Sequence, residues 1–222
     1  MRRTVSRPAL LVIAKAPLPG RAKTRLCPPL SPAQAAALAE AALTDTLEAV
    51  LAAPAARRVL VLDGEPGAWL PPGIEVIPQR PLSFAGRLAG AFADAGGPAL
   101  LIGMDTPQVT GTLLADSLRR LGEPDTDAVL GHCDDGGYWA IGLRRPDRRI
   151  FEGVPMSSPQ TGARQQRRLE QLGLRTGLLA VLRDVDRFED AVAVARQAPA
   201  GRFARALAAV APAAPVPAPA GA

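Results

Sequence analysis

Several residue types that would signal a function are scarce in this sequence. Only two of the 222 residues are cysteine, Cys27 and Cys133. That is too few for a disulfide framework and agrees with a reducing compartment. The only histidine, His132, stands beside Cys133. Zinc normally takes a tetrahedral ligand set and no clustered partners accompany this pair, so they read as a buried thiol and an incidental imidazole. Aromatic residues make up 4% of the chain, and no basic stripe interleaved with aromatics argues for a nucleic-acid partner. No apolar run approaches the roughly 18 residues a membrane-spanning helix requires. The start "MRRTVSRPALLVIAKA" is basic and then apolar, as in a signal peptide. Its apolar run is short, however, and Lys15 follows where a small-residue cleavage site would lie. It reads as a first strand, and the protein as cytoplasmic.

Lysine is scarcer still in relation to charge. The net charge is +5 with 26 Lys+Arg residues, yet lysine occurs only at Lys15 and Lys23. The arginines are dispersed, many in pairs such as Arg57-Arg58 and Arg167-Arg168, and most read as solvated helix and loop faces. A chain that uses arginine elsewhere has a compact ammonium at two nearby positions.

What is present alternates strand and helix. "ALLVIA" (Ala9–Ala14) is a continuous apolar run, as in a strand covered on both faces. Ser31-Pro32-Ala33-Gln34 has a capping-box pattern and opens a helix to about Ala52, with Leu38, Ala42, Leu43, Leu47 and Val50 on its apolar side. Strands are expected at Arg58–Gly64, Ile74–Gln79 and Pro98–Pro107. "DAVLGHC" and "YWAIGL" should form two more, flanking "DDGG", and Thr176–Asp186 a last one. Helices are expected at Leu82–Ala95 (with Phe84, Leu88, Ala91 and Phe92 at helical spacing), at Thr110–Gly122 ended by its glycine, and at Pro159–Leu172. Two more follow at Phe188–Arg196 and Arg202–Val210. The length suits one α/β domain, residues 8–210, followed by a Pro/Ala-rich disordered tail at 211–222. The alternation predicts a three-layer α/β/α, Rossmann-like domain with a mostly parallel sheet, whose ligands bind beyond the carboxyl ends of the strands.

Chemistry-bearing residues gather at that rim. The loop "KAPLPGRAKTR" (Lys15–Arg25) matches neither a P-loop nor a dinucleotide fingerprint, but its parts suit a polyphosphate. Gly20 permits close backbone approach, and Pro17 and Pro19 stiffen the loop. Lys15, Arg21, Lys23, Thr24 and Arg25 supply donors. In "GMDTP", Asp105 leaves the end of a buried strand and is the candidate Mg²⁺ or Mn²⁺ ligand, with Thr106 adding a hydroxyl. "DDGGY" is either a plain hairpin or an acceptor contact made by Asp135, Gly136, Gly137 and Tyr138. In "RDVDRFEDA", Asp186 is the candidate second metal ligand, with Asp135 an alternative.

The motifs "AKAPLPGRAKTRL", "GMDTP", "DGGYWAIG" and "DVDRFEDA" occur in the order found in bacterial glycosyltransferase-like, cofactor-guanylyltransferase-like proteins (transferase 1, rSAM/selenodomain-associated). The opening is also similar to that of 2-phospholactate guanylyltransferase. The resemblance covers about Ala9 to Ala195. It implies a GT-A-type nucleotide-diphospho-sugar transferase fold, a nucleotide substrate and a divalent metal at Asp105. The chain departs from the pattern in three places. Pro155-Met156-Ser157-Ser158 replaces Pro-Trp-Ser-Thr, Arg187-Phe188 replaces Thr-Pro, and "QRPLSFAGRL" lacks Gly-Asp-Leu-Gly while keeping Gln79 and Arg87.

The expected activity is nucleotidyl transfer from an NTP to a small acceptor, with Lys23, Arg25 and Asp105 carrying the catalysis and Arg87 joining the nucleotide contacts. The alternatives are a glycosyltransferase using a nucleotide sugar on a Tyr138/Trp139 platform, and a nucleotide-binding domain without turnover. No nucleic acid or membrane partner is expected, and a homodimer is left open.

Overall fold

The computed structural model describes residues 7–210. The start of the signal-like segment (1–6) and the Pro/Ala-rich tail (211–222) lie outside the described residues. The chain forms β1 (Ala9–Lys15), α1 (Pro32–Ala52), β2 (Arg58–Asp63), β3 (Glu75–Pro78), α2 (Phe84–Ala95), β4 (Ala99–Gly103) and α3 (Gly111–Gly122). Then come β5 (Ala128–His132), β6 (Tyr138–Leu143), α4 (Thr161–Gln171), β7 (Thr176–Leu178), α5 (Phe188–Gln197) and α6 (Arg202–Val210).

The seven strands lie in the order β3-β2-β1-β4-β6-β5-β7. β6 runs antiparallel to both β4 and β5, and all the other pairings are parallel. The sheet is covered on both faces, which explains why β1 carries no alternation: Leu10, Leu11 and Val12 are all buried. On one face β1, β2, β4 and β6 pack against α1 and α3 through Leu43, Leu47, Leu114 and Leu118. On the other they meet α2, α4 and a short 3-10 turn at Arg148–Phe151 through Leu88, Phe92, Phe151 and Leu169. α5 and α6 pack outside α1 in a third cluster that includes Leu38, Val194, Phe203 and Leu207.

Local chemistry places the helix starts. At α1, Ser31 Oγ accepts from the Gln34 amide (3.3 Å) while the Ser31 amide donates to Gln34 Oε1 (2.8 Å), with Pro32 at the first helical position. Ser83 Oγ accepts from Gly86 N (3.3 Å) to start α2, which ends at Gly96 in the left-handed region.

Three expectations need correction. Phe84 does not join the apolar stripe of α2. It is the first helical residue and 41% exposed, with the Arg87 guanidinium 5.4 Å from its ring centre. Gly122 does not end α3 with a left-handed cap; it is the last helical residue, and extended Glu123 follows. The last strand stops at Leu178 rather than Asp186. Beyond it the chain stays beside β5 without a continuous ladder: the Leu179 amide donates to the Leu130 carbonyl (2.9 Å), the Leu182 amide to the His132 carbonyl (3.1 Å), and the Ala180 carbonyl accepts from the Trp139 indole N–H (2.9 Å).

Candidate functional site

The carboxyl ends of β1, β4 and β5 meet along one rim, and the connections leaving them enclose a cleft of about 760 Å³, a size suited to a small-molecule ligand. After β1 the chain turns sharply: the Arg21 and Ala22 amides both donate to the Leu18 carbonyl (3.0 and 3.2 Å). This turn carries Lys23 into the cleft in a left-handed conformation (φ 51°, ψ 36°) that costs a non-glycine residue energy. Its side chain is 9% exposed, and Nζ lies 2.5 Å from Asp105 Oδ1 and donates to the Val185 carbonyl. The Val185 amide in turn donates to the Asp105 carbonyl (2.8 Å). One ammonium thus links the loop after β1, the end of β4 and the segment before α5.

The turn between β5 and β6 brings a second acid. Asp135 Oδ1 accepts from the Gly137 amide (2.7 Å), which tightens the turn while the side chain also lines the cleft. A Cβ on Gly136 (φ +90°) would lie 1.9 Å from the Pro159 carbonyl oxygen, so only glycine fits where this turn touches the start of α4. Asp135, Cys133 and Asp184 each place one ligand-type atom within 4.8 Å of the others. Burial, with the Asp135 and Asp105 carboxylates adding to it, pushes the Asp184 carboxyl up to about 6. Burial also pushes the Cys133 thiol up, so it stays protonated.

Of the residues singled out from sequence, Lys15, Arg21, Lys23, Thr24, Arg25, Arg87, Asp105, Asp135, Gly137, Tyr138 and Asp186 line this one cleft. Pro19, Gly20, Thr106 and Gly136 are not part of its wall. Thr106 is 1% exposed, because the chain turns inward after Asp105 on its way to α3. Asp186 reaches the cleft but pairs with Arg25 Nη1 (2.9 Å). It is Asp184, two residues earlier, that joins Asp135. In "DVD" the sequence offered two carboxylates: Asp184 lies in the acid cluster, while Asp186, nearer α5, is drawn to Arg25. Trp139 is 3% exposed and its N–H is committed to Ala180, so its ring is no free platform for a sugar.

Arg87 is held from two sides. Nη1 donates to Gln79 Oε1 (2.9 Å) and lies 3.8 Å from Asp63 Oδ2. Gln79 Nε2 in turn donates to the carbonyls of Ala14 (2.7 Å) and Val61 (3.1 Å).

A family model described as uncharacterized proteins conserved in bacteria (DUF2064) matches residues 37–158. No curated protein matches the chain. Among solved structures, one assigned as a nucleotide-diphospho-sugar transferase from Desulfovibrio desulfuricans G20 superposes with a TM-score of 0.75 at 24% identity, covering 90% of this chain and 98% of that one. A CMP:2-keto-3-deoxy-manno-octonic acid synthetase complexed with CTP gives 0.55 at 15% identity, covering 87% and 98%. Rv0371c from Mycobacterium tuberculosis H37Rv, complexed with manganese, gives 0.53 at 20% identity, covering 85% and 98%. All three share the fold of this chain.

Proposed function

The chain belongs to the DUF2064 family of bacterial proteins, and on that premise we propose that it is a metal-dependent nucleotidyltransferase. It moves a nucleotidyl group from an NTP to a small acceptor and releases pyrophosphate. The observation that carries this reading is the Lys23–Asp105 contact: a cationic loop and a group of carboxylates face each other across one cleft. That is the charge pattern a metal-bound triphosphate requires. The fold neighbours that bind CTP and manganese support it.

The chain's own residues have distinct tasks. Arg21 and Arg25 draw the triphosphate to the rim, and Lys23 offers its third N–H, beyond those given to Asp105 and Val185, to a phosphate oxygen. The acceptor oxygen attacks the α-phosphorus, the bond to the bridging oxygen breaks, and pyrophosphate leaves with the electron pair. The cations neutralise the charge gathering on that leaving group.

The donor set fits a hard divalent ion. Asp105, Asp135 and Asp184 offer carboxylate oxygens, burial together with the neighbouring carboxylates has raised that of Asp184, and the Cys133 thiol beside them is protonated. These residues would hold Mg²⁺ or Mn²⁺, which supplies Lewis-acid stabilisation of phosphate charge when bound. The glycosyltransferase reading is weaker, because the buried Trp139 removes half of its sugar platform.

Thermal-shift titrations with each NTP and with UDP-, GDP- and dTDP-sugars, with and without Mn²⁺, test the proposal when followed by a pyrophosphate assay. Metal-dependent stabilisation by an NTP together with pyrophosphate release is expected. Stabilisation only by a nucleotide sugar supports glycosyl transfer, and binding without release supports a domain lacking turnover. Asp105→Asn should abolish the metal-dependent part of the shift while leaving the fold intact.

A further inference from the structure

The side of the cleft facing α2 differs from the charged rim. Its wall is built from Ile13, Leu88, Leu101, Met156 and the ring of Tyr138, all part of the apolar layer between the sheet and α2. Two polar groups break this wall, and neither has a partner among the described residues. Tyr138 Oη is buried and makes no hydrogen bond, and Arg87 Nε is buried and makes none either, although Nη1 is committed to Gln79. A buried polar atom without a partner is costly and uncommon in a folded protein. Two on the wall of one cleft indicate a ligand that completes them.

Both groups are hydrogen-bond donors of residues that line the cleft. Burial pushes the Tyr138 phenol up, so it remains an O–H donor, and the guanidinium donates only. Their missing partner is therefore an acceptor of hydrogen bonds. The surrounding side chains require an apolar body. Charge at this end is set by Arg87 with Asp63 at 3.8 Å, and by Lys15 at the end of β1, which alternation places on the same sheet face as Ile13.

We infer that this part of the cleft is the acceptor subsite, and that it takes a small acceptor bearing a carboxylate on a short apolar skeleton, with Arg87 and Tyr138 as its specificity-determining residues. That the molecule is an acceptor rests on the nucleotidyl-transfer reading. The subsite itself rests on its wall and its two unpartnered donors. The carboxylate accepts from Tyr138 Oη and Arg87 Nε, and the skeleton lies against Ile13, Leu88 and Met156.

Three fragments of one size, butyrate, butyramide and butylamine, test this by saturation-transfer NMR on the full chain. Butyrate should bind about tenfold more tightly than butyramide, and butylamine should not bind. Tyr138→Phe is isosteric and should remove about tenfold of butyrate affinity, as expected for one hydrogen bond to a charged group, and Arg87→Met should do the same. Since the hydroxyl satisfies nothing in the free protein, Tyr138→Phe should leave Tm unchanged or raise it, and NTP affinity should stay at the wild-type value. Butyrate binding no better than butyramide overturns the inference. So does a Tyr138→Phe variant that loses several degrees of Tm, which would reveal a structural partner, or one that loses NTP affinity in parallel, which would place the group in the nucleotide's own site. If the wild type binds no NTP yet keeps the butyrate preference, nucleotidyl transfer fails and the carboxylate subsite stands.

Discussion

Replacing Lys23 with methionine removes a positive charge and three N–H donors while nearly preserving the volume of the side chain. Two of those donors serve Asp105 and the Val185 carbonyl, which leaves one for a phosphate oxygen. A hydrogen bond between charged groups contributes about 1.5–3 kcal/mol. At about 1.4 kcal/mol per tenfold, triphosphate affinity should fall about 10- to 100-fold. A nucleoside has no phosphate for the ammonium to meet, so its affinity should change by less than about twofold. The stability cost should be small. Asp105 is 49% exposed and can be rehydrated, so loss of the pair costs no more than about 1 kcal/mol, a Tm change of about 2–4 °C at this chain length. Lys23→Gly separates the two effects further: it relieves the left-handed backbone (φ 51°), about 1 kcal/mol, while losing the same donor. It should therefore be at least as stable as the methionine variant and bind NTP equally poorly. The assay is isothermal titration with an NTP and its nucleoside in Mn²⁺, beside melting curves of all three proteins. Parallel loss of NTP and nucleoside, or no loss of either, would refute the phosphate role.

Further outcomes can be checked on the same protein. Gly136→Ala forces a Cβ against the Pro159 carbonyl at a positive φ; by clash and strain together it should cost about 2 kcal/mol or more in chemical denaturation and move the Asp135 turn. Arg175 donates to Asp127 and holds its carboxyl down to about 2, below its unfolded value near 3.8. The stability this contributes is fully present above pH about 4 and is lost as pH falls towards 2. Asp127→Asn should therefore cost about 1 kcal/mol at pH 7 after allowance for solvent screening, and nothing near pH 2, by urea denaturation at both pH values.

Most of the fold was legible in the order of apolar runs and caps. A run such as "ALLVIA" with no polar alternation has nowhere to go but a strand covered on both faces, and Ser31 with Gln34 writes its own helix start. The cleft was legible in part. Lys23, Arg25 and Asp105 stood out because charge on a loop leaving a buried strand is costly without a purpose. Asp184 and Asp186 are indistinguishable at that level, since "RDVD" contains no local feature that tells the two apart. The unpartnered donors of Tyr138 and Arg87 leave no trace in the sequence, because a hydrogen bond that is missing is a property of three-dimensional surroundings.

The sequence alone determined which segments become strands and helices, and that a cationic loop and an aspartate would leave the ends of two strands, because period, capping and burial are local or nearly local rules. Only the tertiary structure decided that Lys23 meets Asp105, that Asp184 rather than Asp186 turns to Asp135, and that Tyr138 and Arg87 border one apolar wall. Those outcomes depend on strand order and on how the segment before α5 packs against the β5–β6 turn, and residues roughly fifty to eighty positions apart acquire those relations only when the sheet assembles.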